Sequence, residues 1–254
     1  MKRCSRLCKG LLTSVFFSVG ASANDWSFQF EPYMQATQIE GDASIARAVG
    51  TPVDVDFSTI LDNLDMAAML HFEAHHNSGW GLVMDYGYMD LSKNLSNDRS
   101  GLLKVSLRQG VLETLGLYRK VYGNNTVDYF AGVRWWDNDI SLLVDAAITP
   151  SNSTYIDVEE DWLDVVAGFR LTSELNKKWS LVARADLGGF GLSADFTSTI
   201  EAGVTYQISK LMTLDMKYKA SWVDYENNKA IAEVGYFQYD TITHGPILGL
   251  AFNF

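Results

Sequence analysis

Cysteine is almost missing from this 254-residue sequence: Cys4 and Cys8 are the only two. Both fall in a leader with the features of an export signal. Lys2, Arg3, Arg6 and Lys9 give a positive start, Leu11 to Val19 a short apolar run, and Ala21-Ser22-Ala23 a small-x-small cleavage pattern. The expected boundaries are a cleaved signal at 1–23 and a single domain at 24–254. That domain has no thiol for disulfides, metal binding or nucleophilic attack. Cys8 precedes the apolar run, which is not where the acylated cysteine of a lipoprotein stands. Long apolar runs are also lacking. The leader's run is too short to span a bilayer as a helix, and no later stretch reaches that length. Basic residues are few, 20 against 31 acidic, for a net charge of −11. Without the leader's four bases the balance is 16 to 31, or −15, which argues against nucleic acid as a partner. No linker, low-complexity tract or charge block divides the chain, so one domain is expected.

What the sequence does have, from Trp26 onward, is alternation. Segments of roughly ten residues set an apolar face against a polar or small one, the length a tilted strand needs to cross a bilayer. Trp26, Phe28, Phe30, Pro32 and Met34 oppose Ser27, Gln29, Glu31, Tyr33 and Gln35. Leu163, Val165, Ala167 and Phe169 oppose Asp164, Val166, Gly168 and Arg170. Leu248, Leu250 and Phe252 oppose Ile247, Gly249 and Ala251. A soluble half-buried sheet alternates too. Three features favour lipid instead. The polar face carries ionised residues in mid-strand. Short connections (near 76–78, 123–125, 175–177 and 209–210) alternate with longer ones (near 37–66, 92–102, 138–160, 188–197 and 223–241). All seven tryptophans lie near inferred strand ends, where an apolar ring with one polar N–H suits the membrane interface.

The expected fold is therefore all-β, a closed antiparallel transmembrane β-barrel of about ten strands, with eight or twelve as alternatives. Its short turns would be periplasmic and its long loops extracellular. Trp26, Trp80 and Trp179 would form the periplasmic belt; Trp135, Trp136, Trp162 and Trp222 the outer one, with Trp26, Trp80, Trp135, Trp179 and Trp222 the clearest members. One segment resists the pattern: between Lys104 and Tyr118, Val111, Leu115 and Leu117 share a face with Glu113. A bulge or register change there is one way out.

The C-terminal GPILGLAFNF resembles the terminal strand of bacterial outer-membrane proteins, in which Phe252 and Phe254 would be read by the barrel-assembly machinery. DFSTILDNLDMAAMLHFEA (56–74), DYFAGVRWWDND (128–139), DWLDVVAGFRL (161–171) and WSLVARADLGGFGLSADF (179–196) resemble an uncharacterised, porin-like family of bacterial outer-membrane β-barrels. The resemblance spans nearly the whole mature chain. It implies fold and an outer-membrane location, with outer-membrane lipid and lipopolysaccharide as surroundings. It brings no reaction or ligand, and fold alone does not give function.

The candidate site is the inward face. Glu31, His71, Glu73, Asp85, Asp128, Arg134, Asp164, Arg170, Arg184, Asp186, Glu201, Asp215, Lys217 and Lys219 are expected to form a lumen charge network. With both signs present, an ionic plug or a narrow polar path for small solutes are the two readings. A barrel of ~8 strands is just filled by side chains. His71, Glu73 and His75 recur every second residue, but strand spacing of about 6.5–7 Å is awkward for three ligands on one metal. The acids from Asp137 to Asp161 read as a solvated rim rather than a calcium loop. Phe57 to Asp65 reads as a short helix capped by Asp54 or Asp56. No pattern calls for a cofactor. His244 is the one histidine expected near the outer rim, and no Gly-x-Ser-x-Gly is present. The expectation is a barrel without enzymatic activity, with a structural or interaction role or a low-conductance passage. The alternative is an outer-membrane enzyme, a lipid hydrolase or omptin-like protease. The sequence names no partner for the extracellular loops.

Overall fold

A computed structural model of the chain describes residues 25–45, 48–97, 101–145, 154–230, 233 and 235–254. The expected leader, 1–23, lies outside them. No helix among the described residues is long and apolar enough to cross a membrane, and the architecture is one of strands. In chain order they are β1 (Trp26–Gln35), β2 (Gln38–Ile45), β3 (Ala48–Val55), β4 (Leu64–His76), β5 (Trp80–Asn97), β6 (Gly101–Tyr122), β7 (Asn125–Asp145), β8 (Thr154–Glu174), β9 (Trp179–Gly189), β10 (Phe196–Gln207), β11 (Met212–Glu226) and β12 (Phe237–Asn253). One helix, α1 (Phe57–Asp62), lies between β3 and β4.

Ten strands, β1 and β4 to β12, pair antiparallel with their neighbours, and β1 closes on β12. Closure removes the two full-length free edges that an open sheet would leave unpaired in lipid. The other two strands belong to the mouth. β1 and β2 are two parts of one bent strand in a single register against β12: Gln35 pairs with Ile247 and Gln38 with His244. β3 folds back on β2 as a hairpin. The barrel is thus ten-stranded, as expected, with a two-stranded extension built from the connection expected near 37–66.

The start of β1 at Trp26, the C-terminal end of β12 and the short turns share one end, termed the turn end. Gly123 there takes φ 61° in the two-residue link between Tyr122 and Asn125, the positive first position that a II′ hairpin requires. The opposite, hairpin end differs from the expected set of loops. β6, β7 and β8 run 22, 21 and 21 residues, about twice the ~9–11 needed for a crossing. Most of 92–102 and 138–160 is therefore strand, and the described wall stands well above the membrane. Phe237–Tyr239 likewise extends β12 rather than adding a strand.

Alternation places the side chains as expected over most of the wall. Met34, Phe169, Leu187, Ile200 and Leu248 point outward, half exposed or more, or nearly so. Such an apolar band suits lipid and would be a liability in water. The resisting segment needs no bulge, because β6 pairs with β5 and β7 without a register shift. Val111, Glu113, Leu115, Leu117 and Arg119 all face inward. Leu115 and Leu117 pack there against Val83, Phe130 and Val166. Leu248 sits midway along the crossing of β12, so Leu248→Arg should lower unfolding free energy in vesicles by about 2–4 kcal/mol. Asn253→Asp, facing inward near the turn end, should stay within about 0.5 kcal/mol. Equal losses in urea titrations would show that the faces are assigned wrongly.

Candidate functional site: a closed, charged lumen

Near the turn end, Glu73 of β4 accepts from His71 Nε2 at 2.7 Å and from His75 Nε2 at 2.6 Å. His71 Nδ1 lies 2.9 Å from Asp85 of β5, which also accepts from the Tyr33 hydroxyl at 2.9 Å. Thus Glu73 bridges the two imidazoles along one strand face. Among the described residues no group of three His, Cys, Asp or Glu is set to hold a metal ion. Across the lumen, Arg170 of β8 pairs with Glu73 and, at 2.8 Å, with Asp128 of β7. Arg119 of β6 grips the same Asp128 in a fork, at 2.7 and 2.8 Å.

A second cluster lies nearer mid-barrel. Arg134 of β7 donates to Glu113 of β6 at 2.6 Å and to Asp186 of β9 at 3.1 Å. Arg184 of β9 donates to the same two carboxylates at 2.7 and 2.8 Å, so two guanidiniums and two carboxylates close a ring. The Arg184 guanidinium also lies 4.9 Å from the centre of the Phe130 ring. On the facing wall, Lys217 of β11 bridges Glu201 at 3.1 Å and Asp215 at 2.9 Å. Glu31 of β1 is buried beside them, its carboxylate filling the space where a Cβ at Gly249 would stand. Lys219 lines the same narrow part of the lumen. Glu113 and Arg119 are the members that sequence reasoning missed, since both sit in the segment with no clear polar face. Their shared parity, six residues apart on one strand, was the available signal.

Asp164 is fully buried but stands apart from these pairs. Its oxygens accept from the Trp162 indole and from the backbone N–H of Ala194, each at 3.0 Å, and so fasten the 190–195 loop over the barrel. This belongs to a change of character in the lumen. Above the charges, an aromatic cluster fills the inside on the side of β7, β8, β11 and β12. Trp136 stacks on Trp162 with ring centres 5.5 Å apart, and Trp162 on Tyr225 at 3.9 Å, with Phe237 and Tyr239 completing the cluster. Trp136 and Trp162, expected at the outer interface, are therefore inside. β9 and β10 are short, and above them β8 and β11 lean together, as Asn227 Nδ2 to Glu160 at 2.5 Å records. Burial and the neighbouring Glu160 carboxylate push the Tyr225 phenol up to about 12. The remaining tryptophans face outward. Trp26, Trp80 and Trp179 lie at the turn end, where Trp80 and Trp179 meet Tyr118 and Tyr206. Trp135 and Trp222 lie toward the hairpin end, and Phe252 faces outward on β12.

The lumen left open is divided. A vestibule of about 290 Å³ at the turn end narrows to about 30 Å³ between Arg170, Arg184 and Lys217, then widens to about 110 Å³ beneath the mouth. Gln109 bonds Asn138 at 2.8 Å above that upper space. The acids of the expected rim lie on β7 and β8 with like charges directly opposite, Asp137 to Asp161 and Asp139 to Glu159. That arrangement is unfavourable, and Arg108 offsets it at 2.6 Å from Asp139. Residues 146–153 lie outside the described set. His244, on the outward face, accepts from or donates to the Tyr218 hydroxyl at 2.7 Å; it faces away from the lumen charges.

Because Arg134 is enclosed, Arg134→Met should leave Glu113 and Asp186 to share Arg184 alone, one enclosed negative charge in excess, and cost about 3 kcal/mol of stability. Adding Glu113→Gln should cost less than the two single losses combined, with at least about 1 kcal/mol of coupling. Strict additivity in a double-mutant cycle would dissolve the claim that the ring acts as a unit.

No family model matches the chain, and no curated protein matches it in sequence. Solved structures do resemble it. The translocator domain of the autotransporter NalP from Neisseria meningitidis is 12% identical, with 91% of this chain and 88% of that one covered and a TM-score of 0.49. The outer membrane protease OmpT from Escherichia coli is 9% identical, covering 92% and 98%, with a TM-score of 0.48. Ail, the attachment invasion locus protein of Yersinia pestis, solved with the heparin analogue sucrose octasulfate, is 10% identical, covering 91% and 99%, with a TM-score of 0.39. These are likenesses of fold alone; the closed ten-stranded antiparallel barrel of this chain stands on its own strand pairing.

Proposed function

We propose that this chain is a non-enzymatic outer-membrane barrel whose lumen is normally shut, and that its tall hairpin end is its working surface. The observation that carries this reading is the pair of stacked seals. An ion-paired layer narrows the lumen to about 30 Å³, room for roughly two waters. The Trp136–Trp162–Tyr225 stack then occupies the space above it on the β7–β8 and β11–β12 side. A solute crossing in this form would have to strip guanidiniums from enclosed carboxylates, at several kcal/mol for each pair broken. Against this, β5 to β8 extend rigid paired strands beyond the lipid, a surface suited to contact with other molecules.

A second reading, a low-conductance passage for small solutes, draws support from the three cavities lying in line from the vestibule to the mouth. Single-channel recording on the refolded chain in a planar bilayer separates the two, with heat-modified electrophoretic mobility as the check that the barrel has formed. The shut-barrel reading expects a folded but silent protein. Reproducible current steps that change in Arg184→Ala would overturn it and leave the passage standing.

A further inference from the structure

The wall of the barrel has a seam. The β1–β4 ladder runs from Trp26 and His76 up to Pro32 and Leu70 and stops there among the described residues. Beyond that point Tyr33, Met34 and Gln35 pair only toward β12, and Ala67, Ala68 and Met69 only toward β5. Two strand edges therefore diverge at a depth where lipid-exposed, unpaired backbone is not normally tolerated.

The opening is roofed by α1. Asp56 caps it, accepting from the Thr59 N–H at 2.7 Å. Ile60 turns inward onto Ile39, Met89 and Leu91, while Phe57 and Leu61 are left on the outer side. Beneath Phe57 and Leu61 is a cleft of about 850 Å³, bounded by the outward residues Met34, Ala68, Tyr218 and Leu248. Its inner wall is Tyr33, Gln35 and Met69, which also line the upper lumen cavity. Tyr218 lies four residues below the outer-belt Trp222 on β11, so the cleft sits on the hydrocarbon side of that belt.

We propose that this seam is a lipid-binding cleft that takes one acyl chain of an outer-leaflet membrane lipid. The cleft opens on the lipid-facing surface, so hydrocarbon is what the bilayer presents to it. Left empty it would forfeit the dispersion contacts of its whole lining. It is a wedge between two diverging strands under a helix, a shape that admits a single flexible chain and holds off the convex wall of a second barrel. A chain seated there shields the two open edges from the bilayer and rests its length against Met69, Tyr33 and Gln35. The proposal concerns the outside of the wall and is independent of whether the lumen conducts.

The test is photocrosslinking of the refolded full chain in phosphatidylcholine vesicles that contain a phospholipid with a diazirine on its acyl chain, with adducts mapped by mass spectrometry. Adducts at Phe57, Leu61, Met34 and Ala68 should exceed those at Val165 and Ile200 by about tenfold, the ratio given by 1.4 kcal/mol of preference. Ala68→Trp, which fills the cleft, should erase the excess and leave Val165 and Ile200 unchanged. If that variant does not fold by heat-modified mobility, Phe57→Ser/Leu61→Ser removes the roof without touching a strand and should have the same effect. Even labelling around the barrel overturns the proposal. So does labelling of the cleft by a diazirine fatty acid alone, or crosslinking of the cleft to a second copy of the chain.

Discussion

Charge enclosed in a narrow barrel has to be matched locally, and that requirement organises the rest of the molecule. A carboxylate taken from water without a partner costs several kcal/mol. Here each arginine in the middle of the lumen serves two acids: Arg134 and Arg184 share Glu113 and Asp186, and Arg170 joins Glu73 to Asp128. Those acids come from β4, β6, β7 and β9, so the pairs tie strands that are not neighbours in the sheet. The backbone ladder fixes which strand lies beside which. The charges fix how the tube is drawn together across its diameter.

The same tube changes its chemistry along its length. Within the lipid band the outer face must be apolar, and polarity goes inward. Above the band water reaches the outside, and the pattern inverts: Asp137, Asp139, Glu159 and Asp161 turn outward while Trp136, Ile140, Val158 and Trp162 turn in. The hairpin end therefore carries a core of the kind a soluble sheet protein has, built on the same strands that lower down carry an aqueous, charged one. This continuity lets a membrane barrel hold a stiff structure above the surface without a separate domain.

Most of the wall was legible from alternation, because a period of two with one apolar face is what a lipid-facing strand imposes. β1 begins at Trp26, where the pattern begins, and the alternating runs from Leu163 and to Phe252 lie within β8 and β12, while β7 starts three residues ahead of its alternation at Asp128, inside the expected turn. The pattern failed where its physical cause was absent. In β6 the inward face is mixed, because Leu115 and Leu117 fill a gap beside Val83 and Phe130 between the charged Glu113 and Arg119, so polarity no longer marks the lumen. In β7 and β8 the acidic outward face resembled a loop because it stands above the lipid. The tryptophans misled for a related reason: Trp136 and Trp162 lie at the height of the interface but on the other side of the wall. Which charges would be inside was readable residue by residue. Which would touch was not, since Arg134 meets Asp186 across 52 positions of sequence through the curvature of the barrel. The seam at Pro32 was equally invisible, because it depends on where a partner strand stops.

The long strand Phe237–Asn253 does three jobs, pairing with β11 along one edge and with both β1 and β2 along the other. Gln29 and Asn253, its partners at the closure, are separated by most of the chain. The contact that turns a curved sheet into a barrel is thus among the least local in the molecule, and loop closure over such a distance is entropically costly and slow. Until it forms, β1 and β12 each present a bare edge open to any other strand. Whichever strand pairs form first, the chain is therefore open to wrong pairing for as long as β1 and β12 stay apart.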